Sequence, residues 1–340
     1  MKIRRLSVFP LVLTVVILES YASPTPKTSG YEVPRTEYGL PDLRGVWNFS
    51  SNTPMQRDAR FGEQEFLTPE ERQVAAPKPP VNPISSSKGD KTNNWISYND
   101  FWTESTPVGN QVRTSHIIHP KDGRLPEIVK GAIVQHRGRF DVPGTRPVRY
   151  VLSGIAKDGP EDRGLSSRCL VGFNSGPPFV PSLYNNNVQI FQNKDTAVIM
   201  TEMIHDARII PLNKSKDLHD DIRLWSGDSR GWWDGDTLVV ETKNFNGLRD
   251  TFYPYGSNRD VLLTERFTRV AHDTIEYVFT INDPSTFKDV ITAVIPMTKI
   301  DGLLYEFACH EGNYSMTNIL RGERELERRR AETARIEENI

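Results

Sequence analysis

LLTERFTRVAHDTIEYVFTI, residues 262–281, reads as two strands joined at His272-Asp273. Ile275, Tyr277, Phe279 and Ile281 share one face, and Glu276, Val278 and Thr280 share the other. That two-residue period belongs to a strand with one side in a core. The pattern continues in both directions. Residues 188–192 and 196–203 flank the turn Asn193-Lys194-Asp195, and residues 207–212 follow His205-Asp206. Asp234-Gly235 is a hairpin signal between Trp232-Trp233 and residues 237–245, and Asp301-Gly302 links residues 290–298 to 303–310. Nine strand candidates in succession, with no helix between them, give antiparallel neighbours. An open sheet of that length exposes two raw edges. The expected fold is therefore mainly β: an antiparallel meander closing into a lipocalin-like (calycin-type) barrel.

The prolines divide the chain. Of 24, 17 lie between residues 31 and 185 and four lie beyond 185. A proline removes a ladder donor, so their scarcity suits the meander and their crowding marks a wrapping segment. The expected organisation is a signal peptide over 1–22 and an unstructured leader over 23–40. A loop-rich cover follows over 41–187, including a first strand at 43–49. The meander occupies 188–318, and a charged helix or tail 319–340. Within the cover, Thr68, Pro69 and Glu71 form a capping-box signature for a short helix stopped by the prolines of 77–83. Residues 113–118 and 148–153 read as short strands and 125–136 as a helix.

Composition removes several classes of function. The 340 residues are 37% hydrophobic and 25% charged, as in soluble globular chains. A net charge of −2 gives no electrostatic reason for a nucleic-acid partner. No phosphate loop, dinucleotide fingerprint, Gly-x-Ser-x-Gly elbow or His-Glu-x-x-His is present, so no nucleotide cofactor is expected. Lys2, Arg4 and Arg5 precede the apolar run 6–18, and Ser20-Tyr21-Ala22 suits cleavage after Ala22. The expected location is periplasmic or secreted, with no membrane insertion after cleavage. In that compartment Cys169 and Cys309 are expected to form a disulfide, with two unpaired buried thiols as the alternative.

Four polar clusters interrupt the pattern. His205, Asp206 and Arg208 break an apolar pair of strands. His310 and Glu311 end the last strand beside Tyr314. Arg230 precedes Trp232-Trp233, a stacking platform for rings or sugars or simply core. Arg168 adjoins Cys169, so a Cys169–Cys309 bridge would bring Arg168 and His310 together. His205 and His310 suit proton transfer near neutral pH, with Asp206 and Glu311 orienting or sharing that work. Arg168 and Arg208 would hold an anionic or oxygen-rich group. The reading is an acid–base enzyme of lyase, isomerase or hydrolase type. Its substrate is a small or oligomeric carbohydrate or aromatic compound. The alternatives are a non-catalytic lipocalin-like binder lined by Trp232, Trp233 and Tyr314, or an envelope scaffold. A divalent metal on His205, His310 and Asp206 or Glu311 is possible by residue type but not favoured, and His116 and His119 point to opposite faces of a strand.

Gly45-Val46-Trp47 resembles the lipocalin signature, in which such a tryptophan packs beneath a late arginine, here Arg321 or Arg324. Residues 41–47, Arg113-Thr114-Ser115, Asp122-Gly123-Arg124, 184–187, 201–211, 227–242 and 305–313 together resemble a large family of exported bacterial proteins without an established activity. The resemblance implies export and no reaction. His116 and His119 depart from that family's usual aliphatic and acidic residues, which discounts both as ligands.

Overall fold

A computed structural model describes residues 30–75, 112–132, 156–172, 174–182, 184–213, 216–247 and 259–338. The signal peptide, the strand expected at 148–153 and the prolines of 77–83 lie outside them. Ten strands form one antiparallel sheet: β1 Gly45–Asn48, β2 Ile117–His119, β3 Asn187–Gln192, β4 Thr196–Thr201, β5 Ala207–Pro211, β6 Asp228–Asp234, β7 Thr237–Lys243, β8 Leu262–Ala271, β9 Thr274–Asn282 and β10 Ile291–Ile300. The spatial order is β5-β4-β3-β1-β10-β9-β8-β7-β6, with β2 paired to β10 beside β1. Among the described residues the α-helices are α1, Pro69–Ala75, and α2, Tyr314–Glu337.

Alternation selects the inner face, as Ile275, Tyr277, Phe279 and Ile281 are all buried in the main core with Leu263, Phe267, Leu238 and Val240. The sheet curls strongly enough for Arg208 on β5 to reach Glu265 on β8 across the interior. The expected closure does not occur, because no ladder joins β5 to β6. Nine strands lie on the path and every step is antiparallel, so the odd count leaves β5 and β6 running the same way. The seam is packed by side chains instead. A Cβ on Gly231 of β6 would lie 2.9 Å from Ile210 Cγ2 and from Leu212 Cδ2. Positions 212–227 separate β5 from β6 in the sequence, a length sufficient to connect parallel neighbours.

Trp47 lies beneath an arginine, though a different one from that expected. Its Nε1 donates to the Leu43 carbonyl at 2.9 Å, and Arg269 Cζ sits 5.5 Å from its ring centroid. Arg324 instead bonds the carbonyls of Lys157 and Asp158. Pro296 is tolerated inside β10. Val294 N–H points at the His116 carbonyl, so position 296 faces the same edge, between the stretches paired with β2 and β1.

Other expectations are corrected. Residues 303–310 form no strand, because both edges of β10 are already taken by β9 and by β1 with β2. The C-terminal helix starts at Tyr314 rather than near 319, with the Asn313 side chain accepting from Met316 N–H. Residues 125–132 are not helical; Val129 N–H donates to the Thr286 carbonyl. Within the stretch expected as leader, Val33 and Thr36 are buried and Arg35 is paired to Asp236. The capping box at α1 forms as expected: Thr68 N–H to Glu71 Oε2 at 2.8 Å, and Glu71 N–H to Thr68 Oγ1 at 3.2 Å. Among the described residues no helix is long and apolar enough to cross a membrane.

Candidate functional site

The two ends of the curled sheet differ. One end carries tight turns, at 193–195, 235–236 and 272–273. The other receives the longer connections before β3, β6, β8 and β10, where functional groups usually gather on a rigid frame. At that end a segment from outside the sheet enters it. Phe179 is 1% exposed and packs 5.4 Å from Phe49 and 5.7 Å from Tyr277, measured between ring centroids.

Beneath Phe179 lies a charged group in a largely apolar interior. Arg208 grips Glu265 through both terminal nitrogens, the Nη2 contact being 3.1 Å. Tyr277 donates its hydroxyl proton to Glu265 Oε1 at 2.8 Å. The Tyr277 oxygen then accepts from Phe179 N–H at 3.1 Å, and the Arg208 guanidinium sits 5.6 Å from the Phe179 ring centroid. Burial and the adjacent Glu265 carboxylate raise the Tyr277 phenol well above its ordinary value, so it stays a donor to Glu265. Burial alone would depress the Arg208 guanidinium, but Glu265 outweighs it and leaves Arg208 above its usual range. Arg208 Nε has no hydrogen-bond partner among the described residues. The trio is charge-neutral and directional, and both its Tyr277 oxygen and its Arg208 guanidinium contact Phe179.

Local sequence explains the plug. Asn174 Nδ2 donates to Ser182 Oγ at 3.0 Å and to the carbonyls of Tyr184 and Asn185. Asn186 accepts from Ser182 N–H at 2.8 Å and returns a bond to the Ser182 carbonyl at 2.9 Å. These bonds lie within the loop, so its tip is braced as a unit. Its far side is anchored by Asn48, which donates to Asn187, which in turn donates to Glu202.

The residues singled out from sequence fall in separate places. Arg208 faces inward, but its carboxylate is Glu265 and not Asp206. Asp206 accepts from Ser226 Oγ at 3.0 Å. His205 ends a short 3-10 turn over Met203–His205, in which Ile204 is left-handed (φ 58°, ψ 45°). Cys169 and Cys309 are bridged, with Cα atoms 5.8 Å apart. The bridge brings Arg168 and the stretch bearing His310, Glu311 and Tyr314 to one locality. That locality is an open groove of about 450 Å³ lined by Ser166, Ser167, Asn313 and Met316. His310, Glu311 and Tyr314 themselves are exposed, Tyr314 by 74%. Arg230 is spent on Asp228 and the Ser229 carbonyl. Trp232 is exposed on the outer face of β6, and Trp233, half-buried on the opposite face, packs against the core. The two tryptophans therefore line no common pocket. Among the described residues no group of three or more His, Cys, Asp or Glu is placed to hold a metal ion.

Glu265 and Tyr277 were not singled out. The signal for Glu265 was present: Leu263, Glu265 and Phe267 share one strand face, which puts a carboxylate among core residues.

No protein-family model and no curated protein matches the chain. A solved structure that matches is a point mutant of the fluorescent protein UnaG, 16% identical, covering 34% of this chain and 72% of that one. Its TM-score is 0.22, and it carries no argument here.

Proposed function

We propose that the protein is an exported small-molecule binder whose ligand enters the open end and takes the place of Phe179. The observation that supports this is the buried Arg208–Glu265–Tyr277 trio, which offers one hydroxyl acceptor and one cationic face to Phe179, a residue supplied from outside the sheet. Phe179 offers that site an aromatic ring with an N–H a few bonds away. The ligand class is therefore a small aromatic compound bearing an amide or hydroxyl donor. Residue type also fits export, since a disulfide persists in oxidising compartments.

Calorimetry with N-phenethylacetamide, phenol and toluene tests the reading. Saturable binding of the first two, with toluene at least tenfold weaker, is expected. In Tyr277→Phe, which removes the acceptor, that discrimination collapses. Equal binding of all three compounds by the wild type overturns the proposal.

A second reading keeps acid–base catalysis at Asp206, with His205 beside it. It rests on Ile204, since a β-branched residue in the left-handed region is costly and such strain gathers at active sites. If Asp206→Asn abolishes turnover of a compound that still binds, this reading displaces the first; unchanged binding with no turnover in either protein removes it.

A further inference from the structure

We infer that the Cys169–Cys309 bridge is a redox latch on the Phe179 plug, regulating the site proposed above and resting on that reading for its ligand. The arm beyond β10 has little hold on the sheet. None of its residues from 301 to 338 is buried. Several of its bonds run to one short stretch. Lys157 pairs with Glu323 at 3.1 Å, and Arg324 donates to the carbonyls of Lys157 and Asp158. Asn313 Nδ2 donates to the Ser167 carbonyl at 2.7 Å, and Cys309 is joined to Cys169. The arm is thus tethered to the sheet through the chain at Ile300 and fastened to residues 157–169.

That stretch is also the near hinge of the plug. Cys169 itself is left-handed, at φ 57°, a conformation that a non-glycine residue keeps only when its surroundings impose it. Gly172 then packs against Met203, and Asn174 begins the braced loop that carries Phe179. The loop's far side is tied down through Asn187 to Asn48 and Glu202. With the far side fixed, swinging the braced tip requires the near hinge to move, and the bridge pins that hinge to the arm.

The chemistry is available. Cys309 is half-buried and lines the open groove, whereas Cys169 is 4% exposed. A thiolate of a dithiol reductant attacks Cys309 Sγ, a mixed disulfide forms, and the Cys169–Cys309 bond breaks. Cys169 leaves as a thiolate, accepts a contact from Asn313 Nδ2 at 3.5 Å, and then takes a proton from water. The second thiol of the reductant displaces Cys309. Two electrons pass from the dithiol to the cystine, leaving two thiols and an oxidised reductant. The arm is released and the hinge at 169–172 is free.

The test applies dithiothreitol to the folded full-length protein, with Cys169→Ser/Cys309→Ser as a permanently unlatched form. Trypsin cleavage after Arg321 and Arg324 is expected to accelerate at least tenfold on reduction and to return to its original rate on reoxidation. Amide exchange across 174–182 is expected to rise at least tenfold, and N-phenethylacetamide to associate faster. Unchanged cleavage overturns the latch. Faster cleavage with unchanged exchange at 174–182 overturns the coupling to the plug. Exchange and cleavage need no ligand, so a failure of the ligand reading shows separately, as absent binding by both forms. If the double variant does not fold, the reduced wild-type protein decides alone.

Discussion

The Arg208–Glu265 pair makes the sharpest energetic prediction. Glu265 is 0% exposed and the Arg208 side chain 8% exposed, so neither charge has water to fall back on. Replacing Arg208 with leucine strands a carboxylate in the core, and Glu265→Leu strands a guanidinium. Either single change should cost about 3–5 kcal/mol, the range for breaking a buried pair. The double variant removes both charges together. Its remaining defect is the Tyr277 hydroxyl without its acceptor, which costs about 1–3 kcal/mol. The double variant should therefore be more stable than either single one, with a coupling of several kcal/mol. Equilibrium urea unfolding without reductant, followed by tryptophan fluorescence, measures all four proteins. High salt should leave the coupling intact, because buried pairs are screened little. Two single costs below about 1 kcal/mol that simply add would refute a buried pair in contact.

Three further outcomes follow from the packing. His116 is buried, its Nδ1–H donates to the Val294 carbonyl at 2.7 Å, and burial lowers its pKa to about 4 from the ordinary histidine value of about 6.5. The unfolded chain binds this proton first, so His116 adds stability above pH 6.5 that is lost as pH falls toward 4, about 3 kcal/mol in all. His116→Leu should flatten that part of the stability profile in urea titrations at stepped pH, and an unchanged slope would contradict the assignment. Gly231→Ala should cost about 1–3 kcal/mol and loosen the β5–β6 seam, since the added methyl meets Ile210 and Leu212; an alanine protein with the wild-type midpoint would argue against a packed seam. Arg269→Ala should destabilise by about 2 kcal/mol or more, as it removes bonds to the Asp42 and His272 carbonyls together with the cation over Trp47, and a shifted Trp47 emission should accompany the loss.

Much of this fold is legible in the alternation of residues 262–281, because one face of β8 and β9 is core along its whole length. The cap of α1 is legible for a similar local reason: Thr68 and Glu71 satisfy each other within one turn. What escaped was set by non-local pairing. Residues 303–310 have a strand-like composition but meet no vacant ladder, since β10 is flanked on both edges. Closure was expected from the cost of edges, yet an odd number of antiparallel strands leaves a parallel seam that side chains fill. At the site, Arg208 was visible as a charge among apolar residues. Its partner Glu265 lies 57 positions away, so only the curl of the sheet reveals the pair. Phe179 sits in a stretch whose glycines and prolines announce a loop but not its destination.

Whether Phe179 occupies a ligand's place decides the proposed function. Calorimetric affinity for N-phenethylacetamide, compared between wild type and Phe179→Ala under oxidising conditions, measures this. A plug that competes with ligand lowers apparent affinity by the fraction of time the site is free. The alanine protein should therefore bind at least tenfold more tightly than the wild type, and adding Tyr277→Phe should cancel the gain. Equal affinities in the two proteins, or no saturable binding by Phe179→Ala, would contradict it.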